Sequence, residues 1–207
     1  LRSIQSLCMG RIVVVHFLFD ASFWRDAVPG FPGWDTRGGR ISFWDPHPPG
    51  TGEPLLLGWI VGTAAQELSD LGETAGRERA LAWVEEAFPS ASVRQRVRFS
   101  SMRDWITDPY SRGSYSFTRP GGSDQRTVLA TPVGDLLHFA GEATAPAPHY
   151  QTVHGAYASG RRAAREILSA LGRDGAVAAL RPPGADATSR PSLFFSRRPG
   201  YSPLKTI

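Results

Sequence analysis

The sequence is poor in several things, and each shortage narrows what it can be. Cys8 is the single cysteine in 207 residues. No disulfide can form within the chain, and the composition suits a reducing compartment such as the cytoplasm. Lysine is almost missing: Lys205 stands alone among 23 basic residues, the rest being arginine. The formal net charge of +4 comes from dispersed arginines and accompanies no nucleic-acid motif. A solvated basic surface is therefore the simpler reading, with no nucleic-acid partner. No apolar run approaches the ~20 residues of a membrane span, so no membrane partner is expected. The N-terminus lacks the pattern of a signal peptide. No Gly-x-Gly-x-x-Gly loop occurs, so the sequence shows no ready cradle for a dinucleotide pyrophosphate. No metal site is read from it. The chain begins at Leu1 rather than Met, as expected of a piece of something longer.

What is present reads as alternating strands and helices. Arg11 to Phe19 is nearly continuous apolar and β-branched sequence, which predicts a strand covered on both faces. Pro29 to Gly39 is rich in glycine and proline and predicts a loop. Ile41 to Trp44 and Leu55 to Val61 predict strands on either side of a turn-rich Asp45 to Pro54. Thr63-Ala-Ala-Gln66 has the form of a capping box opening a short helix that ends at Gly72. A second helix is expected from Ala75 to Phe88, stopped by Pro89. Val93 to Phe99 alternates, with Arg94, Arg96 and Arg98 on one side, and predicts a half-buried strand with a wet arginine face. From Arg173 onward proline, glycine, arginine and serine dominate without periodicity, which predicts a disordered tail.

Leu136 to Leu171 organises the rest. Leu136 to Ala140 is a short apolar run that predicts a buried strand. Gly141-Glu142 ends it with a backbone open to close approach and a carboxylate. Pro146 and Pro148 keep the following residues out of a helix. Thr152 is the expected N-cap of a helix running to Leu171 and closed by Gly172. Ala156, Gly160 and Ala164 lie at i, i+4 and i+8, so that face can approach another backbone closely, and Ile167 and Leu171 continue it. A helix N-terminus presents unpaired N–H groups and partial positive charge, suited to an anion or an electron-rich carbonyl.

The runs His138-Phe-Ala-Gly-Glu-Ala-Thr144, Thr152-Val-His-Gly-Ala156 and Ser159-Gly160 resemble the C-terminal flavin-binding segment of the FAD-dependent amine oxidases. That group includes monoamine oxidases, polyamine and spermine oxidases and flavin histone demethylases, and the wording here is most polyamine-oxidase-like. The resemblance implies non-covalent FAD as cofactor. It implies that Glu142, after Gly141, binds the ribityl chain, and that Thr152, Val153 and Ala156 at the helix N-terminus face the N1–C2=O edge of the isoalloxazine. A helix dipole there stabilises the negative charge that reduction brings.

Trp105 to Phe117 (WITDPYSRGSYSF) resembles the family's aromatic segment. The resemblance places Trp105 and Tyr110 beside the flavin. Tyr115 then forms one wall of an aromatic cage for the amine substrate, with Thr152 near the opposite side. Aromatic walls attract a cation weakly and keep the site dry. Met9-Gly10 through Phe19-Asp20 and Phe23-Trp24 resembles the strand carrying the family's active-site lysine. Counting from either end puts that lysine at Val14, an apolar residue, which leaves no catalytic residue assigned.

The resemblance covers about Met9 to Leu171, the C-terminal half of the family fold. The expected class is α/β or α+β: a mixed, largely antiparallel substrate-domain sheet with helices, plus a partial Rossmann-like FAD unit. Residues 1–102 are expected to be part of a substrate domain, 103–172 the FAD segment and 173–207 the tail. The implied reaction is oxidative deamination of an amine or polyamine. Hydride passes to flavin N5, the imine hydrolyses to an aldehyde and oxygen yields peroxide. The chain alone is expected to be inactive, its natural complement being a missing N-terminal FAD-binding half. The alternative is a non-catalytic remnant or interaction module of the same fold.

Overall fold

A computed structural model of the chain describes residues 2–28, 33–36, 39–47, 52–122, 124–173 and 175–176. The tail expected from Arg173 onward lies outside the described residues, apart from 173, 175 and 176. In chain order the elements are α1 (Arg2–Ser6), β1 (Leu7–Met9), β2 (Ile12–Phe19), α2 (Phe23–Ala27), β3 (Gly33–Thr36), β4 (Ile41–Trp44), β5 (Leu55–Val61), α3 (Gly62–Ala87), α4 (Val93–Arg96), β6 (Val97–Asp104), β7 (Ser116–Thr118), α5 (Gln125–Ala130), a 3-10 turn (Glu142–Thr144) and α6 (Val153–Ala170). They fall into two compact units, one of Gly10–Ser114 and one joining the described residues up to Met9 with those from Tyr115 onward to 176. The division by role expected from the sequence falls at 102/103.

The Gly10–Ser114 unit is an antiparallel sheet in the order β3-β4-β5-β2-β6, with α3 against one face. The β-branched run of β2 places it centrally, where both edges are paired. Its odd-numbered residues Val13, Val15, Phe17 and Phe19 are at most 1% exposed and meet Leu68, Ala80, Leu81, Trp83 and Val84 of α3. The even-numbered Val14, His16 and Leu18 occupy the other face, only half-buried. The expectation that β2 is covered on both faces therefore fails, and β5 alternates as well, with Trp59 exposed.

Four further differences from the sequence reading have physical reasons. The 29–39 loop contains β3, because Trp34 stacks on Phe43 at 4.8 Å and is 3% exposed, a burial that outweighs the surrounding turn formers. The Thr63–Gln66 capping box does not form: α3 begins at Gly62, and the Thr63 hydroxyl instead accepts from Arg40 Nη1 at 3.0 Å. The two expected helices are one element broken at Gly72, whose φ of 76° and ψ of 174° interrupt the helix. The 93–99 strand is replaced by the α4 turn, closed by Arg96 Nε donating to Ala91 O, followed by β6. A bulge lies behind this. Leu18 pairs with Phe99 but Phe19 pairs with Val97, so Arg98 is the extra residue. Val97 packs on the core, while Phe99 lies on the opposite face and is 59% exposed.

In the other unit β1 pairs with β7 antiparallel, with Cys8 opposite Phe117, and α1 lies beside α5. The buried strand expected at Leu136–Ala140 is absent. A single bridge joins Val133 and Leu137, and Leu136 is 89% exposed. An apolar run becomes a strand only beside an edge that accepts its hydrogen bonds, and among the described residues none lies there. Helix α6 forms as expected, from Val153 to Ala170, with Gly172 beyond it at φ 66°. Its close-packing face is shifted by one residue. Gly155, Ser159 and Ala163 are buried, whereas Ala156, Gly160 and Ala164 are half-buried and Ile167 and Leu171 are exposed. The reason is the approach of the loop: a Cβ on Gly155 would stand 1.8 Å from His149 O.

Candidate functional site

Gly141, Glu142, Thr152, Val153 and Ala156 come together in the unit that contains Tyr115. Thr152 caps α6: its hydroxyl accepts from Gly155 N at 3.1 Å and donates to His149 O at 2.6 Å. A first helical turn leaves several N–H groups without intrahelical partners. Val153, 88% exposed, and half-buried Ala156 flank that turn. Gly141 has φ 131°, a conformation glycine alone adopts easily, and a Cβ built there would meet nothing within 4 Å. The backbone at this point faces open space. Ser159, fully buried, ties Gly141 to α6 by accepting from Gly141 N at 2.9 Å.

Glu142 is held by three donors. Oε1 accepts from Ser116 N at 2.7 Å, and Oε2 accepts from Ser116 Oγ at 3.0 Å and from Gln151 N at 2.9 Å. Because Gln151 immediately precedes the N-cap, the carboxylate is hydrogen-bonded to the approach to α6. A carboxylate accepts roughly four hydrogen bonds, two on each oxygen, so Oε1 retains capacity for one more donor. Arg162 Nη1 donates to Thr144 O at 2.9 Å and its other terminal nitrogen to Phe139 O, fixing the turn on α6 from behind. Sequence reading missed Ser116, Gln151, Ser159 and Arg162. Only Ser159 carries a signal, standing in the Ser159-Gly160 run of the family resemblance. Tyr115 belongs to this unit, adjacent to Ser116, and is half-buried.

Trp105 and Tyr110 belong to the Gly10–Ser114 unit. Arg103 Cζ lies 4.9 Å from the centre of the Trp105 ring, a cation–π contact. Asp108 builds the turn: Oδ1 accepts from Tyr110 N at 3.0 Å and Ser111 N at 2.9 Å, and Oδ2 pairs with Arg103. The Ser111 N–H foremost, then the Tyr110 N–H and the Arg103 charge, hold the Asp108 carboxyl below the usual carboxylate range against a smaller opposing effect of burial. Tyr110 itself is 97% exposed. Val14, on the open face of the sheet, pairs across with Trp59 on one side and Arg103 on the other. Among the described residues no cluster of three or more His, Cys, Asp or Glu could hold a metal. No described helix is long and apolar enough to cross a membrane.

Comparison with known proteins gives concordant results. The chain is 36% identical over 174 residues to lysine-specific histone demethylase 1 homolog 3 of Arabidopsis thaliana, covering 82% of this chain and 10% of that protein. It is 38% identical over 117 residues to polyamine oxidase 4 of Oryza sativa subsp. japonica, covering 56% of this chain and 23% of that one. The chain thus spans a quarter or less of these relatives. Among solved structures it resembles cyclohexylamine oxidase from Brevibacterium oxydans IH-35A, with a TM-score of 0.66, 24% identity, and 82% of this chain against 37% of that one. It also resembles wild-type putrescine oxidase bound to putrescine, with a TM-score of 0.67, 22% identity, and 81% against 37%. These two likenesses show the fold. The family model for flavin containing amine oxidoreductases matches residues 1–168. The chain belongs to the flavin-containing amine oxidoreductase family, whose cofactor is FAD.

Proposed function

We propose that the chain is the C-terminal portion of an FAD-dependent amine oxidase acting on an amine or polyamine, in which Glu142 and the α6 N-terminus hold the cofactor. The observation that carries this is the hydrogen bond from Gln151 N to Glu142 Oε2, which couples the carboxylate to the capped start of α6. The residues fit a flavin. The spare acceptor on Oε1 suits a ribityl hydroxyl, the open backbone at Gly141 admits close approach, and the α6 N-terminus suits an electron-rich carbonyl. Hydride removal from the carbon next to the amine, with oxygen as final acceptor, is the chemistry FAD supplies when bound. The chain's own part is to orient and to exclude water. Trp105 and Tyr110 serve the cofactor, while Tyr115 and Thr152 serve the substrate. An N-terminal half carrying a pyrophosphate loop is the natural complement.

A second reading is favoured by Val14. An apolar side chain at the position of the family's lysine can neither carry charge nor hold a water. A non-catalytic module of the same fold would keep the sheet and α6 while losing the reaction.

FAD titration followed by flavin fluorescence tests the proposal. Lacking a Gly-rich loop, the 207-residue chain is expected to bind FAD more weakly than about 1 μM. Glu142→Ala is expected to weaken that binding by about 10- to 100-fold with the fold intact, the cost of a charge-assisted hydrogen bond. A stoichiometrically yellow preparation contradicts the first expectation. Unchanged affinity in the variant removes Glu142 from the site.

A further inference from the structure

We infer that Arg126 is a positioning residue for the Glu142 carboxylate. This rests on the reading of Glu142 as a cofactor ligand. Arg126 lies on α5 and is 6% exposed, an unusual place for a guanidinium. Its hydrogen-bond partners among the described residues belong to the cradle of Glu142. Nη1 donates to Ser116 Oγ at 2.7 Å and Ala143 O at 3.3 Å, and Nη2 donates to Ser116 O at 2.9 Å. The Tyr150 ring covers the guanidinium, with Cζ 4.6 Å from its centre. Glu142 Oε2 is 3.8 Å from Nη1, close enough for attraction between two partly desolvated charges.

The chemistry of the donors gives this arrangement a direction. A guanidinium only donates, so Ser116 Oγ is committed as an acceptor toward Arg126. Its one proton is then free to point at Glu142 Oε2. Ser116 O, filled by Arg126 Nη2, also accepts from Gln151 Nε2 at 2.7 Å, which steadies the residue whose N–H reaches Glu142. Arg126 thus acts on the carboxylate through Ser116, whose Oγ and O it holds, and once through space, while leaving Oε1 its spare acceptor. A lysine carries the charge but cannot span three acceptors with one planar fork.

Amide hydrogen exchange of the whole 207-residue chain tests this, comparing Arg126→Met and Arg126→Lys with the parent. In Arg126→Met, exchange at Ser116 and Gln151, the amides bonded to Glu142, is expected to rise about tenfold or more. Gly155 and Ala156, bonded to Thr152, are expected to change by less than about threefold. Arg126→Lys falls between and decides the matter if the methionine variant does not fold. Unchanged protection at Ser116 and Gln151 overturns the inference. So does a uniform loss across the unit, which would make Arg126 a packing element only. FAD titration in parallel is expected to show Arg126→Met weakening binding, and adding Glu142→Ala to it costing little more. If Glu142→Ala alone leaves FAD affinity unchanged, the cofactor reading fails while the exchange pattern still decides whether Arg126 positions the carboxylate.

Discussion

Val14 of β2 and Arg103 of β6 stand directly opposite one another, on the same open face of the sheet. The position to which the resemblance assigns the family's lysine therefore has a cation as its cross-strand neighbour. That cation already has two attachments on its own side, the Asp108 carboxylate and the Trp105 ring.

A lysine at position 14 would place two cations face to face. Val14→Lys is expected to destabilise the chain by about 0.2–1 kcal/mol, the range for cross-strand pairs, with desolvation of the new charge in addition. The repulsive part shrinks as salt is raised. It should also be relieved when Arg103→Ser is added. Urea unfolding of the single and double variants at low and high salt measures this. A salt-independent cost, unrelieved in the double variant, would show that the two side chains do not meet.

Gly58 offers a test of the core. It lies between Val15 and Phe43 in the ladder, and a Cβ there would come 2.5 Å from Val15 Cγ2 and 2.6 Å from Phe43 Cε1. Gly58→Ala is expected to cost about 1–3 kcal/mol through overpacking, despite the better strand propensity of alanine. Val15→Ala in the same chain should recover part of that loss. Chemical denaturation of both variants decides it.

Acid sensitivity is expected around Asp45. Burial alone would raise its carboxyl, but donation from Arg25 Nε at 2.6 Å, Trp24 Nε1 at 2.9 Å and His47 N at 3.0 Å, with the Arg25 charge, holds it below the usual range. A carboxyl depressed on folding stabilises the native state above its unfolded pKa of about 3.9. That contribution is lost as pH falls through the lower, folded value. Asp45→Asn should cost stability at pH 7 and flatten the acid limb of the stability curve below about pH 4. Thermal unfolding from pH 7 to pH 2.5 distinguishes the two proteins. Parallel curves would assign the acid limb to other carboxylates, Asp108 first among them.

The central strand, the strands at Ile41 and Leu55, the Thr152 cap and the end of α6 were legible because each depends on local pattern or local capping chemistry. The role proposed for Glu142 rests on family wording. The donors on its carboxylate, Ser116 and Gln151, lie 26 and 9 residues away in sequence, with no periodicity linking them. Leu136–Ala140 was misread for a related reason: a strand is a property of two segments, and apolar content reports on one. The Val93–Phe99 alternation was real in the letters and broken in space by one unpaired residue.

That unpaired residue, Arg98, works as a phase shifter. Before it Val97 packs on the core, and after it Met102 does, with Ser100 opposite Phe17, so odd- and even-numbered positions exchange faces at a single point. Removing Arg98 would bring the strand into one continuous phase. Either Phe99, Ser101 and Arg103 would then be driven inward, or Val97 and the α4 turn would be expelled from beneath α3. A one-residue deletion here should thus be far more damaging than substitution of the same arginine by almost any other side chain. The length of this strand, more than its chemistry, is what the sheet holds constant.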